Sequence, residues 1–270
     1  MSQIAEIPSA PRPRAGRTPV TATVTAVRRL TPHMVRVTLG GDALPSVDPG
    51  PFTDRYIKVV LGPPPAEGAR PLVRTYTIRR ARRESWDVDV VEHGEGYGGP
   101  WAGRVRPGDE VSFLGPGGGY APSADAAWHL LVGDESALPA IAAACEALPP
   151  SARAHVFVEV AGPQEEQELV SEADLQVTWV HRGDGPGLAG SVRAAHDSGA
   201  LPGGVPHAFL HGEAGCVREL RRWARAELGI PRELLSASGY WKRGRNDEGW
   251  REDKAGWRAA VDRDDAALTG

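Results

Sequence analysis

From Val20 to Pro116 apolar and polar residues alternate in short stretches, and beyond Pro122 the alternation stops. VTATVTAVRRL, MVRVTLGG, RYIKVVLG, RTYTIRR, WDVDVVEHG and EVSFLGP follow the two-residue period of strands with one face buried. Turn signals separate them: Thr31-Pro32-His33, the Pro-rich GPPPAEGARP, Arg82 to Ser85, and Arg106-Pro107-Gly108-Asp109. About six such strands predict a small antiparallel β-barrel.

The second half reads differently. WHLLVG (128–133), AHVFVEV (154–160), LQVTWVHR (175–182), HAFLHG (207–212) and LLSASGYW (234–241) are short strand-like runs. The helical segments DESALPAIAAACEAL, SVRAAHDSGAL and EAGCVRELRRWARAELG lie among them. Buried strands alternating with helices predict a parallel sheet in an α/β domain, with ligands at the carboxyl ends of its strands. The expected organisation is a disordered arm over 1–17, a barrel over 18–122, an α/β domain over 123–241 and a helical tail over 242–270. In the tail Trp250 and Trp257 lie seven apart, which predicts one helical face packed on the second domain.

Composition narrows the function classes. A net charge of −4 over 270 residues carries no basic signature for nucleic acid. The two cysteines, Cys145 and Cys216, supply neither a disulfide framework nor metal-ligand spacing, and both read as structural. The eight histidines are scattered, so no metal site is predicted. No stretch approaches the ~18 apolar residues of a membrane helix, and the N-terminus lacks the apolar core of a secretion signal. A cytoplasmic monomer is the expectation.

The chemistry begins at Arg74-Thr75-Tyr76-Thr77. On a strand Arg74 and Tyr76 share one face, and Thr75 and Thr77 start on the other. A guanidinium matches two oxygens of a pyrophosphate, a Tyr ring stacks on a flat heterocycle, and a Thr hydroxyl suits a ring nitrogen that gains and loses a proton. Those groups jointly describe a dinucleotide with a flat redox ring, FAD foremost, although the same residues also make an ordinary strand. Gly94, Gly96, Gly98 and Gly99 then allow close backbone approach, and Pro100 suits the first turn of a short helix. Tyr120 can cover a ligand or simply pack. At the strand ends of the second half lie Gly133-Asp134-Glu135-Ser136, Gly212-Glu213-Ala214 and Gly239-Tyr240-Trp241. No GxGxxG stands in the first strand–helix turn of the second half, and no P-loop is present. The acidic GDES loop suits a ribose, a nicotinamide amide or a transient ligand, while Asp134 or Ser136 reads equally as a helix cap.

RTYTIRR, DVDVVEHG, GDESALPAI, FVEV and SGYWKRGRNDEGW together resemble the siderophore-interacting proteins, flavin-dependent ferric-siderophore reductases of the ferredoxin–NADP reductase superfamily. The resemblance runs from about Thr18 to Trp250. It implies FAD held by Arg74 at the pyrophosphate, Tyr76 at the isoalloxazine and Thr77 near N5, with Thr75 beside them. Contacts from Val91, His93 and Gly94, and a cradle from Gly99, Pro100, Trp101 and Ala102, are implied as well. It also implies NADPH or NADH crossing Gly133, Asp134, Glu135, Ser136, Ala137, Glu159, Gly212, Glu213, Ala214, Tyr240 and Trp241. A ferric siderophore is often anionic, so Lys58, Lys242, Arg243 and Arg245 are its expected basic contacts. Reduced ferredoxin as donor, and a siderophore-binding protein without catalysis, remain the alternatives. Arg182 suits a 2′-phosphate on the donor, whereas Glu165 and Glu166 are expected to repel one.

Overall fold

The structure, a computed structural model, describes residues 18–62, 71–92 and 96–268. The expected arm over 1–17, most of the Pro-rich loop, and the FAD contacts at His93 and Gly94 lie outside the described residues.

Six strands close into the first domain: β1 (Val20–Thr31), β2 (Met34–Gly40), β3 (Tyr56–Gly62), β4 (Leu72–Ala81), β5 (Ser85–Val91) and β6 (Glu110–Gly117). Their order around the barrel is β1-β2-β5-β4-β3-β6, every pair antiparallel, with β6 returning to β1. The alternating apolar residues meet inside: Val24, Val37, Ile57, Ile78, Val88 and Phe113, with the Trp86 ring tilted against Phe113. A short helix, α1 (Gly98–Arg104), packs Ala102 against this core.

The second domain holds β7 (His129–Asp134), α2 (Leu138–Ala147), β8 (Arg153–Val160), β9 (Asp174–His181), α3 (Gly187–Asp197), β10 (His207–Glu213), α4 (Ala214–Ala226) and β11 (Leu235–Trp241). The sheet is parallel in the order β11-β10-β7-β8-β9. Its two faces explain the lost alternation. Leu131 packs toward Ile141 and Val156 on one side, while Leu130 and Val132 pack toward Leu220 and Val192 on the other. Both residue parities are therefore buried, and no polar position is required. The chain winds outward from β7 to β9 and then restarts at β10 on the other side, which opens a crevice at the carboxyl ends of β7 and β10.

Polar ties join the domains. Arg79 grips the Glu146 carboxylate with two hydrogen bonds of 3.0 and 2.7 Å. Within the barrel domain, the Asp54 carboxylate accepts from the backbone of Gly119 and Tyr120 and so fixes the loop that carries the Tyr120 ring into the second domain. Glu165 is turned away from the β7–β10 crevice. It is buried in the seam, where it accepts from Thr31 Oγ1 and the His33 backbone, so its expected repulsion of a 2′-phosphate does not operate. Glu166 pairs with His181 at 2.7 Å.

The tail forms α5 (Asp247–Ala267), capped by Asn246, whose side chain accepts from Gly249 N. Trp250 is buried, with Trp257 edge-on at 5.9 Å. Burying such a ring stabilises the docked helix by about 1.5–3 kcal/mol. Gly239 leaves room for it, since a Cβ there would approach the Trp250 ring and Ala214 to about 3 Å.

Candidate functional site

Arg74 lies on β4 with its side chain 9% exposed. Thr75 points outward, as the strand period requires. Tyr76 packs against the barrel core and stacks on Trp101 at 5.9 Å, 21° from parallel. Thr77 is buried and paired in register with Tyr56 of β3. Burial raises the Tyr76 phenol far above its ordinary range, so it stays protonated. A Cβ on Gly98 would strike the Tyr76 hydroxyl, so the glycine turn lies directly against the ring.

The Arg74 fork is already engaged. Nη1 lies 3.0 Å from Asp247 and Nη2 donates to Glu248 at 2.8 Å, while the Tyr97 ring sits 5.4 Å beneath the guanidinium. Two carboxylates at this fork show that it accepts anionic oxygens, the chemistry that a pyrophosphate presents. With an aromatic ring beside it and a turn that tolerates no side chain, this set of residues fits FAD. Gly99 is buried, and Pro100 and Trp101 are half-buried on the same turn. Ala102 turns its side chain into the barrel core. Val91 is half-buried and leans on the second domain's core. Tyr120 is not a cover. Its ring is buried against His207 and Phe209, each 4.9 Å away, because the loop after β6 drives it into the α/β core.

At the β7–β10 crevice the predicted residues separate into struts and surface. Asp134 does not cap α2 and serves as a strut of the crevice. It is buried and accepts from Ser136 N, Ser136 Oγ, Glu213 N and Trp241 Nε1, the last at 2.7 Å. Burial raises its carboxyl, and those hydrogen bonds pull it back. The cap position of α2 falls on Ala137, which is fully buried and offers no side-chain bond. Gly133 has no room for a Cβ beside Ala137 and the His211 carbonyl. Gly212 adopts φ +135°, and a Cβ there would collide with the Asp134 carboxylate. Glu213 caps α4 by accepting from Cys216 N at 2.8 Å, and Ala214 lies beneath α5. Tyr240 shares a 2.9 Å hydrogen bond with His211 Nδ1. Its phenol is pushed up, first by burial and then by Asp54 and Asp134. Glu135 and Glu159 flank Arg182 at 2.7 and 3.3 Å.

The four basic residues do not converge. Lys242 and Arg245 share one carboxylate, Asp253, at 2.9 and 3.0 Å. Arg243 lines the β7–β10 cavity together with Glu213. Lys58 remains on the barrel, on β3. Lys254 escaped the sequence reading. It sits four residues after Trp250, over that ring at 5.6 Å, and donates to Gly239 O. Asp247 and Glu248 escaped too, because only the docked tail brings them to Arg74. Among the described residues no group of three or more His, Cys, Asp or Glu could hold a metal ion, and no helix is long and apolar enough to cross a membrane.

Residues 126–244 match the family model of siderophore-interacting proteins, and residues 23–69 and 63–120 match the siderophore-interacting FAD-binding domain. An uncharacterized protein of Mycobacterium tuberculosis is 43% identical, over 89% of this chain and 96% of its own. Ferric vibriobactin reductase of Vibrio cholerae is 34% identical, over 82% and 89%. The crystal structure of the siderophore-interacting protein from Aeromonas hydrophila superposes with a TM-score of 0.75 at 29% identity, covering 88% and 97% of the two chains. The ferredoxin reductase in carbazole 1,9a-dioxygenase shares the fold, with a TM-score of 0.66 at 20% identity over 82% and 68%.

Proposed function

The chain belongs to the siderophore-interacting protein family, and from that footing we propose that it is an FAD-dependent reductase that takes electrons from NADH or NADPH and passes them to iron(III) in a siderophore. The observation that carries this reading is the meeting of two half-sites. Arg74 of the barrel strand donates to Glu248 at the start of α5, and Trp250 of the same helix packs against Gly239, next to Tyr240 at the carboxyl end of β11.

In this reading Arg74 holds the pyrophosphate of FAD, Tyr76 backs its ring system and Thr77 offers a hydrogen bond. The Gly98–Trp101 turn closes over the phosphates, and the Tyr76–Trp101 stack keeps water from that side. Bound FAD supplies the conversion of a two-electron donor into single-electron delivery. Asp134 fixes the Trp241 indole and the Glu213 backbone, so the donor meets a preorganised edge. Lys58 presents positive charge to an anionic ferric chelate. Once reduced, iron(II) is a poorer match for hard oxygen ligands and leaves. The protein acts as a cytoplasmic monomer in this account.

One observation favours ferredoxin as donor instead: α5 covers Gly239 and Ala214 and narrows the approach to the crevice. Anaerobic absorbance decides between donors. Purified protein loaded with FAD is expected to bleach with NADH or NADPH, then to reoxidise on addition of a ferric siderophore with a ferrous trap, yielding trapped iron(II). Bleaching by reduced ferredoxin alone would assign the other donor, and failure to retain FAD would end the reading.

A further inference from the structure

Resting on the reading that a pyridine nucleotide is the electron donor, we infer that Glu159, Glu135 and Arg182 read the donor's adenosine ribose and select NADH over NADPH.

Placement comes first. Counting from β7, the sheet runs third, second, first, fourth and fifth strand, so the second strand, β8, lies beside the crevice strand. In sheets of this winding an acidic side chain at the end of the second strand meets the ribose hydroxyls of a dinucleotide, and a nearby free Arg takes a 2′-phosphate instead. Glu159 is the penultimate residue of β8 and lines the cavity at the switch point with Asp134, Glu213 and Arg243.

Arg182 is the cation in position for a 2′-phosphate, yet it is committed. Nη2 donates to Glu135 at 2.7 Å and Nε donates to Glu159 Oε1 at 3.3 Å. Glu135 is itself locked, because its other oxygen accepts from Ala161 N at 2.6 Å, just past the end of β8. A phosphate entering here displaces one of two carboxylates from Arg182 and then lies beside both. Like-charge contacts of that kind oppose binding. A ribose hydroxyl instead donates to Glu159 and disturbs nothing.

The cavity itself is negative. The Cys216 thiol on its wall is pushed up to about 12, first by burial and then by Glu159, Glu219, Asp134 and Glu213. Arg243, on the rim beside Glu213, is the cation left for the donor's pyrophosphate.

The test uses the FAD-loaded full chain and two fragments of the donor, 5′-AMP and 2′,5′-ADP, followed by calorimetry. AMP is expected to bind about tenfold more tightly than 2′,5′-ADP, a gap of about 1.4 kcal/mol. Glu159→Gln should weaken AMP, strengthen 2′,5′-ADP and close most of that gap, and Glu135→Gln should free Arg182 and do the same for 2′,5′-ADP. Equal or tighter binding of 2′,5′-ADP by the unaltered protein, binding of neither fragment, or equal shifts for both fragments in the variants would overturn the inference. Flavin bleaching by NADH and NADPH is followed in parallel. Bleaching by neither ends the reductase reading on its own evidence, whatever the fragments do.

Discussion

Arg74 and Glu248, 174 residues apart, are joined by a 2.8 Å hydrogen bond that ties the barrel to the first turn of α5. Asp247 completes the pair at 3.0 Å and is itself held by Arg251. The guanidinium expected at the FAD pyrophosphate is thus shared with the tail. Glu248 is nearly half exposed, so this contact is worth about 0.5–1 kcal/mol. Asp247→Asn with Glu248→Gln should tighten FAD by about two- to fivefold in a flavin-fluorescence titration. Looser binding would mean that the carboxylates orient Arg74 for the cofactor instead of competing with it.

Gly98→Ala puts a methyl group into the Tyr76 hydroxyl. Backbone and ring must then part, at a cost of about 1–3 kcal/mol. The expected result is a lower melting temperature together with loss of bound FAD. An unchanged flavin content would show that the turn does not shape the site.

Asp134→Asn keeps the shape of the side chain but gives it one acceptor in place of two. Asp134 Oδ1 and Oδ2 each take two donors, so an amide nitrogen at either place leaves two N–H or O–H groups facing a donor. Denaturant unfolding should show a loss of about 2–4 kcal/mol. Trp241 fluorescence should change with it.

Acid should weaken the fold through its buried histidines. Burial lowers His129 to about 4, helped by His207, and lowers His211 to about 3, helped by Lys254. The unfolded chain takes up these protons below about 6.5 and the folded one does not, so stability present above that pH is lost as pH falls toward 4. At pH 5 each such histidine costs about 2 kcal/mol. Asp54 and Asp134, raised by burial, act in the opposite sense. His211→Gln should flatten the slope of unfolding free energy between pH 6.5 and 5 by about one proton. A slope equal to that of the unaltered protein would refute the assignment.

The basic residues should divide. Lys58→Ala is expected to weaken the apparent affinity for an anionic ferric chelate several-fold, less so at high salt. Arg245→Ala should leave it unchanged, since Asp253 already holds that charge. Reversal of the two effects would move the docking face to the tail.

Much of the fold was legible because burial leaves a period in the sequence. VTATVTAVRRL alternates since one face of β1 meets the barrel core, and HLLVG does not since both faces of β7 are covered. The juxtaposition of Arg74, Tyr76 and the glycine turn was legible because these residues lie near one another in the chain, and they meet again in space. What depended on long-range packing was hidden. Nothing near Tyr120 reveals that its ring enters the other domain, and nothing near Glu165 reveals that Thr31 and His33 claim its carboxylate. Asp134 looked like a loop acid because its four donors come from three separate segments.

The span between Arg74 and Glu248 also sets an order of events during synthesis. Arg74 emerges first, and the carboxylates that later occupy its fork follow 174 residues behind. At about 5–20 residues per second, that delay lasts roughly 9 to 35 seconds. For the part of that interval that follows the synthesis of β6, a nascent barrel offers Arg74 to a cofactor without competition from its own C-terminal segment.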